Sequence, residues 1–234
     1  MIFFDLDGTL LDHKSSEFLG VKAFYREYKH ETMHDEETFY NLWCQASDKH
    51  FNRYLKSEIT FNQQRIERIK DVFSYSGIKL SDKDAEIRFA TYLNKYEENW
   101  KPYDDVIPCL QELTGYKLGI ISNGDLEQQS LKLERLGIKN YFVSIITAGE
   151  VGIAKPNIKL FEIACSRVNE SPKDCYYIGD DLKTDIFPSR EIGMHGIWLN
   201  RNNGQLDFSD INMINSLKNL KSILKSQFYL TIYS

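Results

Sequence analysis

Three apolar residues at the head of the chain run straight into an acidic turn: Ile2-Phe3-Phe4, then Asp5-Leu6-Asp7-Gly8-Thr9. A short unbroken apolar run closed by a turn residue is the pattern of a strand buried on both faces, as in a parallel sheet. Side chains alternate along a strand, so Asp5 and Asp7 are expected on one side of it. They would stand at its carboxyl end, where open α/β sheets bind their ligands. Two carboxylates so close repel unless a cation, a proton or hydrogen bonds hold them. Asp and Gly are also ordinary turn formers, so an acidic turn without chemistry is the competing reading of this stretch.

The remaining pattern decides what kind of sheet this strand joins. From about Ser15 to Trp100 the apolar spacing is helical: Phe39, Trp43, Ala46 and His50 step by three and four, as do Ile66, Ile69 and Phe73, then Phe89, Leu93, Tyr96 and Trp100. Thr60 with Gln63 and Ser81 with Asp84 have capping-box spacing, and Gly77 stands where a helix would stop. The block reads as four antiparallel helices around an aromatic core. Beyond Trp100, helices over 104–113, 126–136, 157–168 (opened by Pro156) and 186–192 (limited by Pro188) alternate with strands over 117–122, 141–146, 175–178 and 196–199. Residues 211–224 have helical spacing, and 228–233 read as an edge strand. Such alternation implies an α/β fold, a parallel sheet covered by helices on both faces. A strand, crossover helix and strand take about 30 residues. The segment between Asp7 and Ser122 is several times that, and the excess coincides with the helical block. The expected organisation is therefore a discontinuous α/β core, 1–14 with 101–234, interrupted by an all-helical domain, 15–100, that emerges beside the acidic turn.

Composition narrows the class of function. The chain has 234 residues, 42% hydrophobic and 27% charged, enough apolar material for a real core. Its net charge of −5 with no basic run argues against a nucleic acid polymer as partner. No apolar stretch approaches the roughly 20 residues that span a bilayer, so no membrane is expected. The opening segment lacks a basic flank and its apolar run is broken by two Asp, unlike a signal peptide. Cys44, Cys109, Cys165 and Cys175 form no CxxC pair and suit buried thiols in a reducing compartment, hence a cytoplasmic protein.

Three further polar clusters end or follow later strands: Ser122-Asn123-Gly124, Lys155-Pro156-Asn157, and Gly179-Asp180-Asp181 with Asp185. Gathered with the first, they would offer a hydroxyl, backbone N–H groups and an ammonium, which suit the oxygens of a phosphoryl group. Carboxylates from two strands make a hard oxygen site suited to Mg²⁺ together with substrate phosphate.

In these four motifs the sequence resembles the haloacid dehalogenase-like (HAD) superfamily: Asp5-Leu6-Asp7-Gly8-Thr9, Ser122 after a hydrophobic strand, Lys155-Pro156, and Gly179-Asp180-Asp181 with Asp185. The likeness covers essentially residues 1–200 and implies a Rossmann-like core with a C1-type helical cap, in the pyrimidine 5′-nucleotidase-like and phosphoglycolate phosphatase-like branch. By that resemblance Asp5 is the nucleophile that forms an aspartyl-phosphate, and Asp7 is the acid and base. Mg²⁺ is held by Asp5, the backbone carbonyl of Asp7, and Asp180. Ser122, Asn123 and Lys155 bind the phosphoryl oxygens, while Thr9, Asp181 and Asp185 orient these groups from behind.

The expected activity is Mg²⁺-dependent hydrolysis of a small phosphorylated metabolite by a monomer or homodimer. A nucleoside 5′-monophosphate is favoured because Trp43, Phe51 and Tyr54 could stack a base, although core packing explains these aromatics equally well. Dehalogenases of the superfamily lack an acid at the position of Asp7, which argues against that activity, while a phosphomutase would use the same groups. Lys14 and Lys22 show no surroundings that would make a Schiff-base lysine of the phosphonatase kind. A phosphate-binding regulatory protein without turnover is the alternative from another class. Ser122 is in no G-x-S-x-G elbow, residues 149–155 do not fit a P-loop, and the five His have no metal-ligand spacing. Arg53, Lys56, Arg65 and Arg68 read as a solvated helix face.

Overall fold

The computed structural model describes residues 1–202 and 210–224. Among the described residues six strands form one sheet: β1 (Ile2–Phe4), β2 (Leu118–Ser122), β3 (Phe142–Thr147), β4 (Tyr176–Gly179), β5 (His195–Leu199) and β6 (Asn212–Ile214). Their spatial order is β3-β2-β1-β4-β5-β6, with every neighbouring pair parallel. β1 and β2 are buried along their whole length, as their unbroken apolar sequences require. The α/β parallel sheet expected from the sequence is the fold found.

The order places β1 at the reversal point of the sheet, with β2 on one side and β4 on the other. Phe4 pairs with Ile120 of β2 and Ile178 of β4, so Asp5 comes level with the ends of both neighbours. Crevices at such switch points are where open α/β sheets bind ligands. Behind the site, α8 (Ile158–Arg167) lays Leu160, Phe161 and Ala164 against Phe3, Ile121, Ile146 and Tyr177. At about 1.5–3 kcal/mol for each large apolar side chain buried, this layer fixes the strand ends from which the functional residues project.

Several element boundaries differ from the sequence expectation for identifiable reasons. Pro156 does not open α8. Asn157 is the N-cap, with its carboxamide oxygen accepting the N–H of Lys159, so the proline precedes the cap. α5 runs Val106–Glu112, starting late because the Asp105 carboxylate is committed to Arg201, Ser216 and the N–H of Leu217 rather than to capping. The helix expected over 186–192 is preceded by a wide π-helical turn, Leu182–Ile186, and only Phe187–Glu191 is α-helical (α9). Residues 211–224 are not one helix: they begin as β6, then pass through a 3₁₀ turn, Leu217–Asn219, into a short helical stretch. The β6 residues Met213 and Ile214 pair with Trp198 and Leu199, so edge pairing outweighs the helical spacing. The edge strand expected over 228–233 lies outside the described residues. The remaining helices of this unit are α6 (Leu126–Arg135) and α7 (Ala148–Val151).

The chain divides into two compact units, Met1–Asp12 with the chain from Lys101 onward, and His13–Trp100. The second contains α1 (His13–Tyr28), α2 (Glu36–Leu55), α3 (Phe61–Ser74) and α4 (Asp82–Glu97), with α1 packed on α4 and α2 on α3. Gly20 permits the first of these approaches: a Cβ there would stand 2.8 Å from the Tyr96 Cα. Phe24, Trp43, Phe73 and Tyr92 form the aromatic centre, and Trp43 is fully buried, 4.1 Å from Tyr92 between ring centroids. Thr60 and Gln63 form a full capping box. Ser81 accepts the N–H of Asp84 but donates its hydroxyl to the Asp84 carboxylate.

One charged residue in this unit behaves differently from its sequence reading. Arg68 does not lie on a solvated face. It is buried, hydrogen-bonded to Gln64 and set over Trp43 and Phe89. His50 is buried too, 2.7 Å from the Asp71 carboxylate.

Candidate active site

Asp5 follows β1 directly. Its N–H donates to the carbonyl of Ile178, which holds its backbone in the strand path while its carboxylate leaves the strand end. Gly8 makes the next turn, at φ +96°, a region that costs any other residue strain. A Cβ on Gly8 would also lie 2.5 Å from an Asp180 carboxylate oxygen, so the turn and the end of β4 approach as closely as they do only because it is glycine. Thr9 donates its hydroxyl to Asp180 at 3.4 Å, and Trp198 of β5 donates its indole N–H to the Asp180 carbonyl.

Lys155 lies at the centre of the carboxylates. Its ammonium is 2.7 Å from Asp5, 2.7 Å from Asp185 and 2.9 Å from the Tyr177 hydroxyl, which uses all three of its donors. Burial alone would push this ammonium down in pKa, but Asp185 and Asp5 outweigh burial and hold it protonated. Asn123 places it: the carboxamide accepts the Lys155 N–H at 2.6 Å and donates to the Lys155 carbonyl at 2.9 Å. The Asn123 side chain is thus engaged with the lysine backbone. Ser122 ends β2, buried, with its Oγ accepting from the Gly124 N–H and from Gln129.

Carboxylate oxygens of Asp5, Asp180 and Asp185 lie within 4.8 Å of one another. Burial raises the Asp5 carboxyl well above its ordinary range, Lys155 pulls it back, and the negative charges of Asp185 and Asp180 push it up again. Asp180 is raised to about 6, first by burial and then by Asp185. Two buried carboxylates, Asp5 and Asp185, share the one ammonium, and the less buried Asp180 beside them leaves a surplus of negative charge; an all-oxygen donor set of this kind fits a hard divalent cation such as Mg²⁺.

The other two acids separate in role. Asp185 meets Lys155 and Tyr177 and accepts the N–H of Asp181. The Asp181 carboxylate turns the other way, capping the N–H groups of Lys183 and Thr184 on the solvent side. Asp7 does not join the carboxylate cluster: Lys132 is 2.6 Å from one of its oxygens and Gln129 is 2.8 Å from the other.

Gln129, Lys132 and Tyr177 were not expected from the sequence. Signals for them existed. Gln129 and Lys132 are polar residues at inward positions of an amphipathic helix, and Tyr177 stands mid-strand in a buried run where its hydroxyl needs a partner.

A family model for haloacid dehalogenase-like hydrolases matches residues 1–193. The chain belongs to that family. This hydrolase is 29% identical over 245 residues to a glyceraldehyde 3-phosphate phosphatase of Methanothermobacter thermautotrophicus, covering 95% of this chain and 98% of the relative. It is 30% identical over 202 residues to a pyrimidine 5′-nucleotidase of Escherichia coli, covering 85% of each. Among solved structures it superposes on a Bacillus subtilis HAD-hydrolase bound to magnesium with a TM-score of 0.84 at 20% identity, over 96% of this chain and 97% of that one. An L-2-haloacid dehalogenase of Xanthobacter autotrophicus shares the fold at a TM-score of 0.74 and 16% identity, over 96% and 98%. A fold shared with a dehalogenase does not choose the reaction. That choice falls to the site residues.

Proposed function

We propose that this hydrolase is a Mg²⁺-dependent phosphatase of small phosphate monoesters that works through an aspartyl-phosphate on Asp5. The observation that carries the reading is the pair of differently held acids after β1. Asp5 is buried against Lys155 in the carboxylate cluster, and Asp7 is held apart from it by Gln129 and Lys132. A nucleophile and a separate proton carrier are what phosphate ester hydrolysis needs, whereas a halide leaves without a proton. The curated relatives named as phosphatases and a nucleotidase support the same choice.

In the first step an Asp5 oxygen attacks phosphorus, the bond from phosphorus to the ester oxygen breaks, and Asp7 gives its proton to the departing oxygen. In the second, water attacks the same phosphorus and loses its proton to Asp7. The bond from phosphorus to the Asp5 oxygen breaks, releasing phosphate and restoring both carboxyl groups. Lys155, on releasing one of the three acceptors it now serves, and the hydroxyl of Ser122 would donate to the phosphoryl oxygens, with Asn123 fixing the backbone that carries Lys155. Asp5, Asp180 and the Asp7 carbonyl would hold Mg²⁺, with Asp185 behind them. When bound, the ion offsets the charge that the carboxylates and the phosphoryl group bring together.

For the substrate, the aromatic stacking platform loses one of its supports. Trp43 is core, and Phe51 and Tyr54 pack as a ring pair with Phe61 beyond. The reading therefore extends to small phosphorylated metabolites as a class, triose phosphates and nucleoside monophosphates both included. The test is phosphate release from a panel of both kinds, with and without Mg²⁺. Metal-dependent turnover of at least one member is expected, and none across the panel would contradict the reading in favour of a phosphate-binding protein.

A further inference from the structure

We infer that Gln129 and Lys132, one turn apart on α6, are positioning residues that aim Asp7 and Ser122 for the reaction. The inference rests on the phosphatase reading above. Lys132 is 4% exposed, yet its ammonium reaches Asp7 at 2.6 Å. Gln129 is fully buried, and its amide nitrogen donates twice, to the other Asp7 oxygen at 2.8 Å and to Ser122 Oγ at 2.5 Å. Each carboxylate oxygen of Asp7 therefore has its own donor from one helix, and two separate donors fix the rotation of a planar group where one would leave it free to turn.

Chemistry fixes the orientation of the Gln129 amide. Were its oxygen turned to this side, it would face the Asp7 carboxylate, acceptor against acceptor. With the nitrogen donating, Ser122 Oγ is an acceptor toward Gln129, and its own proton is left to point at an incoming phosphoryl oxygen. The same orientation leaves the Gln129 carbonyl oxygen buried without a partner among the described residues. An orphaned acceptor is unfavourable in a core, and a leucine would fill the position without it, so packing alone does not explain a glutamine here. Gly124 keeps the arrangement in place, since a Cβ there would lie 2.5 Å from the Gln129 carboxamide carbon.

The two contacts have separable consequences. Lys132 acts through Asp7, on proton delivery to the leaving oxygen, so its loss should depend on how much the leaving group needs a proton. Gln129 acts through Asp7 and also through Ser122, which holds substrate and transition state alike. The experiment measures kcat and KM with Mg²⁺ for p-nitrophenyl phosphate, a good leaving group, and for an alkyl phosphate that the wild type turns over. The variants are Lys132→Met, Lys132→Arg and Gln129→Leu, each with its melting temperature.

Lys132→Met should lower kcat for the alkyl ester at least about tenfold more than for the nitrophenyl ester, with KM little changed, and Lys132→Arg should recover part of the loss. Gln129→Leu should in addition raise KM for both esters. A crystal structure of Lys132→Met should show the Asp7 carboxylate rotated from its wild-type position. Equal losses on both esters that follow the fall in melting temperature, or an unmoved Asp7, would overturn the inference while leaving the phosphatase reading standing. A wild type inactive on every ester would overturn both.

Discussion

The chemistry of single residues follows from how few donors and acceptors the buried site contains. Asp5 shares one ammonium with Asp185, and both lie beneath the surface, so changing either alters the charge seen by the other. Asp5→Asn should reduce turnover by at least about a thousandfold while leaving the melting temperature unchanged or raised, because a neutral amide ends the carboxylate repulsion. Phosphate release and a thermal melt on the same preparation check both halves. Gly8→Ala should fail differently. The residue needs φ +96° and would drive its methyl into Asp180, so stability should fall by about 1–2 kcal/mol and activity with it, as urea titration and turnover would show. Asp5, Ser122 and Asp180 were legible because each is a polar group at or directly after the end of an apolar strand, while Lys155 and Asp185 stand further on and were found by their place among the motifs. Gln129 and Lys132 were not, because a polar residue within a helix looks the same in sequence whether it faces solvent or a carboxylate more than a hundred positions away.

At the scale of elements, one buried carboxylate joins distant parts of the core unit. Asp105 accepts from both terminal guanidinium nitrogens of Arg201, at 2.9 and 3.0 Å, and from the Ser216 hydroxyl and the Leu217 N–H. Arg201 in turn donates to the carbonyl of Thr9, bracing the turn that carries Asp7 and Gly8. Burial raises the Asp105 carboxyl, but the bonds from Arg201, Ser216 and Leu217 outweigh it and hold the group below its ordinary value. A depressed folded-state pKa contributes stability that is whole above the unfolded value, near pH 4, and is lost as pH falls through the folded value. Asp105→Asn should therefore cost about 3 kcal/mol at pH 7, a difference from wild type that shrinks as the pH is taken below about 4 in urea titrations. In the helical unit, Trp43→Ala should cost about 3–5 kcal/mol, the usual penalty for emptying a core aromatic site. These partnerships explain which boundaries the sequence could not show. Capping residues such as Thr60 and Ser81 announce themselves locally. Asp105 instead resembles a helix cap until Arg201, Ser216 and Leu217 are folded against it, and the edge pairing of β6 is non-local in the same way.

For the whole molecule, the order of the strands turns scattered motifs into one site. β1 stands between β2 and β4, so Asp5 comes between Ser122 and Asp180 although the three lie far apart in sequence. Convergence of the motifs was legible from the alternation of elements, because a parallel sheet places all its carboxyl ends on one side, whereas the order of the strands depends on non-local pairing that no local pattern shows. Chelation of the purified enzyme should abolish phosphate release and added Mg²⁺ should restore it, with the fold unchanged by circular dichroism. The most direct measurement is chemical trapping of the covalent intermediate: quench during turnover, reduce the acyl phosphate with borohydride, and map the modified residue by mass spectrometry. Homoserine at position 5, formed only when substrate is present, is the expected result. Steady turnover with position 5 unmodified, or modification at Asp7 or Asp180 instead, would contradict the assignment of Asp5 as nucleophile.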